Sequence, residues 1–199
     1  MTPARGEDRI LTLPNLLSLA RLLCVPIFLW LLFWAPHPHR AAAAFLLGAL
    51  GATDWVDGYV ARHFDQVSTL GKVLDPTADR VLLGVGIVAI MIDGSVPLWI
   101  GFAVITREVL VSGAVLGLAA LGARRIDVQW VGKAGTFALM FAFPLFLASH
   151  AHELSWHATA GFLAWGFVLP GLVLSWYAAV TYIPLARRAL AEGRVGSSP

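Results

Sequence analysis

The sequence predicts an all-α integral membrane protein, six transmembrane helices around a polar cavity that faces the cytoplasm, and three observations predict it. Of 199 residues 58% are hydrophobic and 13% charged, against about 25% charged in an average soluble chain, so there are too few charges to clothe a globule. Apolar runs close to the roughly 20 residues that cross a bilayer recur six times. Basic residues gather at alternate connections between those runs. Mean hydropathy is +0.76. The net charge of +2 and pI near 9.0 do not point to nucleic acid, because the basic residues flank apolar segments instead of forming one patch. Residues 1–199 read as a single membrane domain with no room for a soluble one.

The first span is expected at 12–34. Thr12 and Pro14 suit its start, Pro26 should bend it, and no small-residue cleavage site follows it, so it reads as a retained helix. The others follow at 40–62, 74–93, 97–121, 130–150 and 158–186, with Asp93-Gly94-Ser95 as a short turn between the third and fourth. The sixth is long enough to tilt or to extend past the bilayer. Cys24 is the only cysteine and lies in an apolar run, so no intrachain disulfide forms.

Arg5 and Arg9, Arg62 and Lys72, Arg124 and Arg125, and Arg187, Arg188 and Arg194 fall on one side, while the opposite loops hold little beyond Arg40. The positive-inside rule then puts both termini and the 2–3 and 4–5 connections in the cytoplasm of a plasma-membrane protein. His37, His39, His150, His152 and His157 crowd the outer loops. They lack the ligand spacing of a metal cluster and read as solvated loop residues.

The stretch 54–80 carries five aspartates, two arginines and a lysine between two apolar runs. Asp54 and Asp57 are three apart near the end of span two; Asp75 and Asp79 are four apart at the start of span three. On helices each spacing places its pair on one face. Four convergent carboxylates exceed what Arg62 and Arg80 neutralise as ion pairs, and a set of oxygen donors alone suits hard divalent cations, Mg²⁺ or Mn²⁺. Gly58 and Ala61 leave that helix face without bulk, either for close helix packing or for close approach of a ligand.

Asp54-x₂-Asp57-Gly58-x₂-Ala61-Arg62-x₈-Gly71-x₃-Asp75-x₃-Asp79 resembles, at all eight positions and in both gaps, the signature of the CDP-alcohol phosphotransferases. "LPNLLSLARLL" and the six spans are also similar to its small bacterial, phospholipid-making members. The resemblance implies transfer of a substituted phosphate from a CDP-linked donor to an alcohol, with release of CMP. It implies two divalent ions held by Asp54, Asp57, Asp75 and Asp79, with Asp79 also a candidate base for the acceptor hydroxyl. Gly58, Ala61, Arg62 and Gly71 resemble the nucleotide-binding positions, and a homodimer is implied. Asp65, in the gap, reads equally as a loop acid or a nucleotide neighbour.

Arg107 and Lys133 are cations inside apolar spans, where a partner or a cavity is expected. Snorkelling is the plain alternative, more so for Lys133. Residues i and i+1 do not share a helix face, so Glu108 is not the expected partner of Arg107. In the resembled family similar positions hold an acceptor's phosphate, and "TREVLVSG" is similar to the glycerophosphate-accepting members. The expectation is phosphatidyl transfer from CDP-diacylglycerol to sn-glycerol 3-phosphate. A cardiolipin synthase using phosphatidylglycerol keeps the same chemistry, and an inositol phosphate acceptor fits "TREV" less well. An ion-conducting transporter is the rival from another class. Against it, the acids gather near one membrane face and no polar pathway crosses the bilayer.

Overall fold

The computed structural model describes the backbone at residues 13–35, 39–64, 71–120 and 130–195, and the side chains of these outside 13–18, 54–64, 71–80, 119–120 and 185–195. Six helices run through the described residues: α1 (Leu13–Phe33), α2 (Arg40–Phe64), α3 (Gly71–Ile92), α4 (Leu98–Ala120), α5 (Trp130–Ser149) and α6 (His157–Val195). Each falls within a few residues of an expected span except α6, which runs on at its C-terminal end to 39 residues through Pro170 and Pro184. Pro26 sits inside α1, which continues through it.

Among the described residues three helices are long and apolar enough to cross a membrane, over Leu98–Leu118, Trp130–Ser149 and His157–Pro184; shorter apolar helices cover Leu19–Phe33, Arg40–Thr53 and Val81–Ile92. Large apolar side chains point outward around the bundle, Trp130 being 80% and Phe162 79% exposed. Such surfaces are covered by lipid hydrocarbon rather than water.

The chain direction gives the bundle a motif end, where α2 ends and α3 begins, and an opposite end. The core lies toward the opposite end, where Phe28, Ile90, Ile100, Leu147 and Val168 from five helices are fully buried. A close backbone approach joins α5 and α6. There a Cβ on Gly135 would come 2.7 Å from the Ser175 backbone nitrogen, and one on Gly171 would come 3.1 Å from Leu139. Small residues let these backbones approach, the common device of helix pairs in lipid.

The opposite end is tied by polar contacts. Gly94 takes a φ of 78° in the turn after α3, the left-handed conformation that glycine adopts without strain. Beside it Asp93, its side chain 5% exposed, accepts from the Arg40 guanidinium at 3.0 Å, and the Ser95 hydroxyl donates to the same carboxylate. Arg40 therefore joins the start of α2 to the α3–α4 turn. The Ala41 N–H, a donor with no partner inside its own helix, donates to Glu153 at 3.4 Å. Two of the loop histidines bind backbone through their rings: Nδ1–H of His150 donates to the Phe146 carbonyl at 3.0 Å, and that of His157 to the Leu154 carbonyl at 2.9 Å.

Candidate active site

A cavity of about 580 Å³ opens between α1, α2, α3, α4 and α5 on the motif side of the core. Most of its wall is hydrocarbon, including Leu47, Ile87, Ile90, Val104 and Phe143. Arg21, Arg107, Glu108 and Lys133 interrupt that wall. The two cations picked out from the sequence therefore meet at one cavity, although they come from different helices. Arg21 is a third, only 5% exposed, which sequence reasoning missed. Its signal was available, since a lone arginine within an apolar run is the same sign that marked Arg107.

The placement of each cation follows from its helix. Arg21 and Arg107 lie near the middle of α1 and α4, so neither is free to reach a bilayer interface easily. Lys133 lies in the first turn of α5 and is exposed. Gly132 beside it carries no side chain, and a Cβ there would stand 3.9 Å from Arg107 Nη2. The bare backbone thus leaves room for the guanidinium between α4 and α5.

The expectation that Glu108 does not pair with Arg107 is corrected by the structure. Arg107 Nη1 donates to Glu108 Oε2 at 2.9 Å. Neighbouring residues leave a helix about 100° apart, but both side chains have long flexible stems that fold toward each other in the cavity. Ser112, one turn on and on the face of Glu108, donates its hydroxyl to Oε1 at 3.4 Å. Arg107 Nε is buried and has no partner among the described residues. Leaving such a donor unsatisfied costs about 1–3 kcal/mol or more for a charged group, which an oxyanion in the cavity would remove.

Asp54, Asp57, Gly58, Ala61 and Arg62 lie on the last turns of α2, and Gly71, Asp75 and Asp79 on the first turns of α3. Their helical backbone gives the pairs at i, i+3 and i, i+4 the shared faces expected of them; their side chains lie outside the described residues. Gly51 and Leu82 line the cavity, one turn from Asp54 and Asp79 respectively. The helix backbone that carries the motif therefore begins one turn from the cavity lining. Among the described side chains no group of three or more His, Cys, Asp or Glu is arranged to hold a metal.

Comparison with known proteins places this geometry. The family model of the CDP-alcohol phosphatidyltransferases matches residues 11–182. The chain is 40% identical to a protein of Streptomyces coelicolor named cardiolipin synthase (CMP-forming), over 91% of this chain and 85% of the relative. It is 33% identical to the CDP-diacylglycerol–glycerol-3-phosphate 3-phosphatidyltransferase of Bacillus subtilis, over 82% of this chain and 91% of the relative. The enzyme of the same name from Escherichia coli is 36% identical over 65% of this chain and 73% of its own length. With the motif on α2 and α3 and a matching model over nearly the whole chain, the protein is an enzyme that belongs to the CDP-alcohol phosphatidyltransferase family.

Proposed function

We propose that the protein transfers the phosphatidyl group of CDP-diacylglycerol to sn-glycerol 3-phosphate, forming phosphatidylglycerophosphate and CMP. One observation carries the acceptor. Arg107 and Lys133 line a cavity beside the motif, and the buried Nε of Arg107 lacks a partner among the described residues. These donors complement a phosphate monoester, which carries about −1.5 to −2 near neutral pH.

In this reading the acceptor's free hydroxyl oxygen attacks the phosphorus that bears the diacylglycerol. Its bond to the CMP oxygen breaks, CMP leaves, and the hydroxyl proton passes to Asp79. Asp54, Asp57, Asp75 and Asp79 are the residues that would hold two divalent ions, Mg²⁺ or Mn²⁺, and their all-oxygen donor set on paired helix faces fits hard cations. Such ions supply charge stabilisation for the pyrophosphate and the departing CMP. Gly58, Ala61 and Gly71 give the nucleotide a surface with little side-chain bulk to lie against, and Arg62 offers its phosphates a fork of donors. The motif end faces the cytoplasm of the plasma membrane in this account, as the basic connections require. A homodimer is part of the same proposal, supported by the exposed Gly113 and Gly117 of α4, where a second helix could approach closely.

A second reading has an observation of its own. The relative named cardiolipin synthase matches more of this chain at higher identity than the two glycerol-3-phosphate enzymes, and the cavity extends from Gly132 to Pro144 between apolar walls. That is about 18 Å along α5, comparable to one leaflet of a ~30 Å hydrocarbon core, and would suit a lipid acceptor such as phosphatidylglycerol. The deciding experiment supplies purified enzyme with CDP-diacylglycerol and either acceptor, following CMP and the lipid formed. Phosphatidylglycerophosphate from glycerol 3-phosphate is expected. Cardiolipin from phosphatidylglycerol alone would move the assignment to the second reading, and CMP release with neither would remove both.

A further inference from the structure

An anion beside a phosphate pocket needs a reason. Glu108 is the acidic side chain among the described residues lining the cavity, and its charge repels any phosphate that Arg107 attracts. The bonding pattern supplies the reason. Nη1 of Arg107 is committed to Glu108 Oε2 at 2.9 Å, and the other carboxylate oxygen takes the Ser112 hydroxyl at 3.4 Å. What remains of the guanidinium is the edge formed by Nε and Nη2, whose N–H bonds run parallel and match two oxygens of one planar or tetrahedral oxyanion. Nε is buried without a partner, and Nη2 borders the bare backbone of Gly132.

We propose that Glu108, itself steadied by Ser112, is the positioning residue of the acceptor pocket. It holds Arg107 by one nitrogen and thereby presents the Nε–Nη2 edge to the acceptor's phosphate for two-point binding. The inference rests on the assignment of a phosphate-bearing acceptor to this cavity. An arginine on a long stem in an apolar wall would otherwise sample several rotamers, and ordering it on binding would weaken affinity. Pairing with a neighbour on its own helix fixes it before the acceptor arrives, and the cost in repulsion is offset by the geometry gained.

The test measures acceptor and donor KM on the full-length enzyme in lipid nanodiscs, using whichever alcohol phosphate supports CMP release in the wild type, so that the acceptor assignment is judged separately. Glu108→Ala should raise acceptor KM about tenfold, with the KM for CDP-diacylglycerol within about twofold. Glu108→Gln, whose carbonyl oxygen still accepts from Nη1, should recover most of the loss. In an Arg107→Ala background Glu108→Ala should add nothing, the mark of two residues acting as one. Should Glu108→Ala not fold, Ser112→Ala serves in its place, with a rise of about threefold expected. A fall in acceptor KM on removing Glu108 would show a simple repelling charge and overturn the proposal. So would an undiminished effect without Arg107, or an acceptor KM that Ser112→Ala leaves unchanged.

Discussion

Arg107 shows at the scale of one residue what a charge inside an apolar helix is for. Its side chain is 15% exposed, it lines the cavity, and its buried Nε has no partner among the described residues. Replacing it by alanine removes a charge-assisted bond of about 1.5–3 kcal/mol, so acceptor KM should rise roughly tenfold or more while donor KM stays nearly constant. Steady-state kinetics with each substrate varied in turn checks this; equal change in both would make the arginine a structural residue. The motif aspartates predict a different split. On the proposed roles, Asp79→Asn should lower turnover beyond its effect on metal affinity, as loss of a base as well as a ligand would, whereas Asp54→Asn should act through metal affinity. Titration of activity with Mg²⁺ separates the two. Of the cavity lining the sequence makes Arg107 and Lys133 legible, because charge in an apolar run is rare enough to stand out. It does not reveal that Arg21 joins them, since which helices share a wall depends on packing. Nor does spacing reveal the Arg107–Glu108 pair, which side-chain length makes against the helical angle.

At the scale of the helix, element positions follow from hydropathy, and α1 to α5 begin and end within three residues of expectation. The end of α6 is less legible. Arg187 and Arg188 end the apolar run, but charged residues continue a helix as readily as they leave a membrane, and α6 goes on to Val195. The glycines carry a second lesson. Gly135 looks like any small residue in an apolar span, yet its missing side chain sets the distance between α5 and α6, with Ser175 and Gly171 backbone atoms at 2.7 and 3.0 Å from a built Cβ. Gly135→Val should force the pair apart and destabilise the protein by about 1–3 kcal/mol, seen as a lower thermal midpoint in detergent. A midpoint unchanged from wild type would mean the helices are not held at this seam. By contrast, Gly51 faces the flexible Met140 side chain, and Gly51→Ala should be tolerated better.

Across the whole molecule, stability and chemistry occupy different halves. Phe28, Ile90, Ile100 and Leu147 close the opposite half around a dry core, and the Arg40–Asp93 pair ties its surface turn. Arg40→Ala leaves the Asp93 carboxylate with Ser95 but without its cation, and should cost about 3 kcal/mol with little effect on either KM. The cavity lies on the motif side of that core, where a ligand could enter without disturbing it. Arg107, Glu108 and Lys133 sit beside a cavity, the setting in which a membrane bundle keeps charges. The central claim is that the aspartates of α2 and α3 work through divalent cations to transfer a phosphatidyl group to a glycerol-type acceptor. The most direct measurement follows CMP release by purified enzyme from CDP-diacylglycerol and glycerol 3-phosphate, with phosphatidylglycerol as a parallel acceptor, in excess chelator and after Mg²⁺ or Mn²⁺ is restored. The account predicts no release in chelator, recovery with either metal, and no recovery in Asp57→Asn at the same metal concentration. Undiminished release in excess chelator would contradict it.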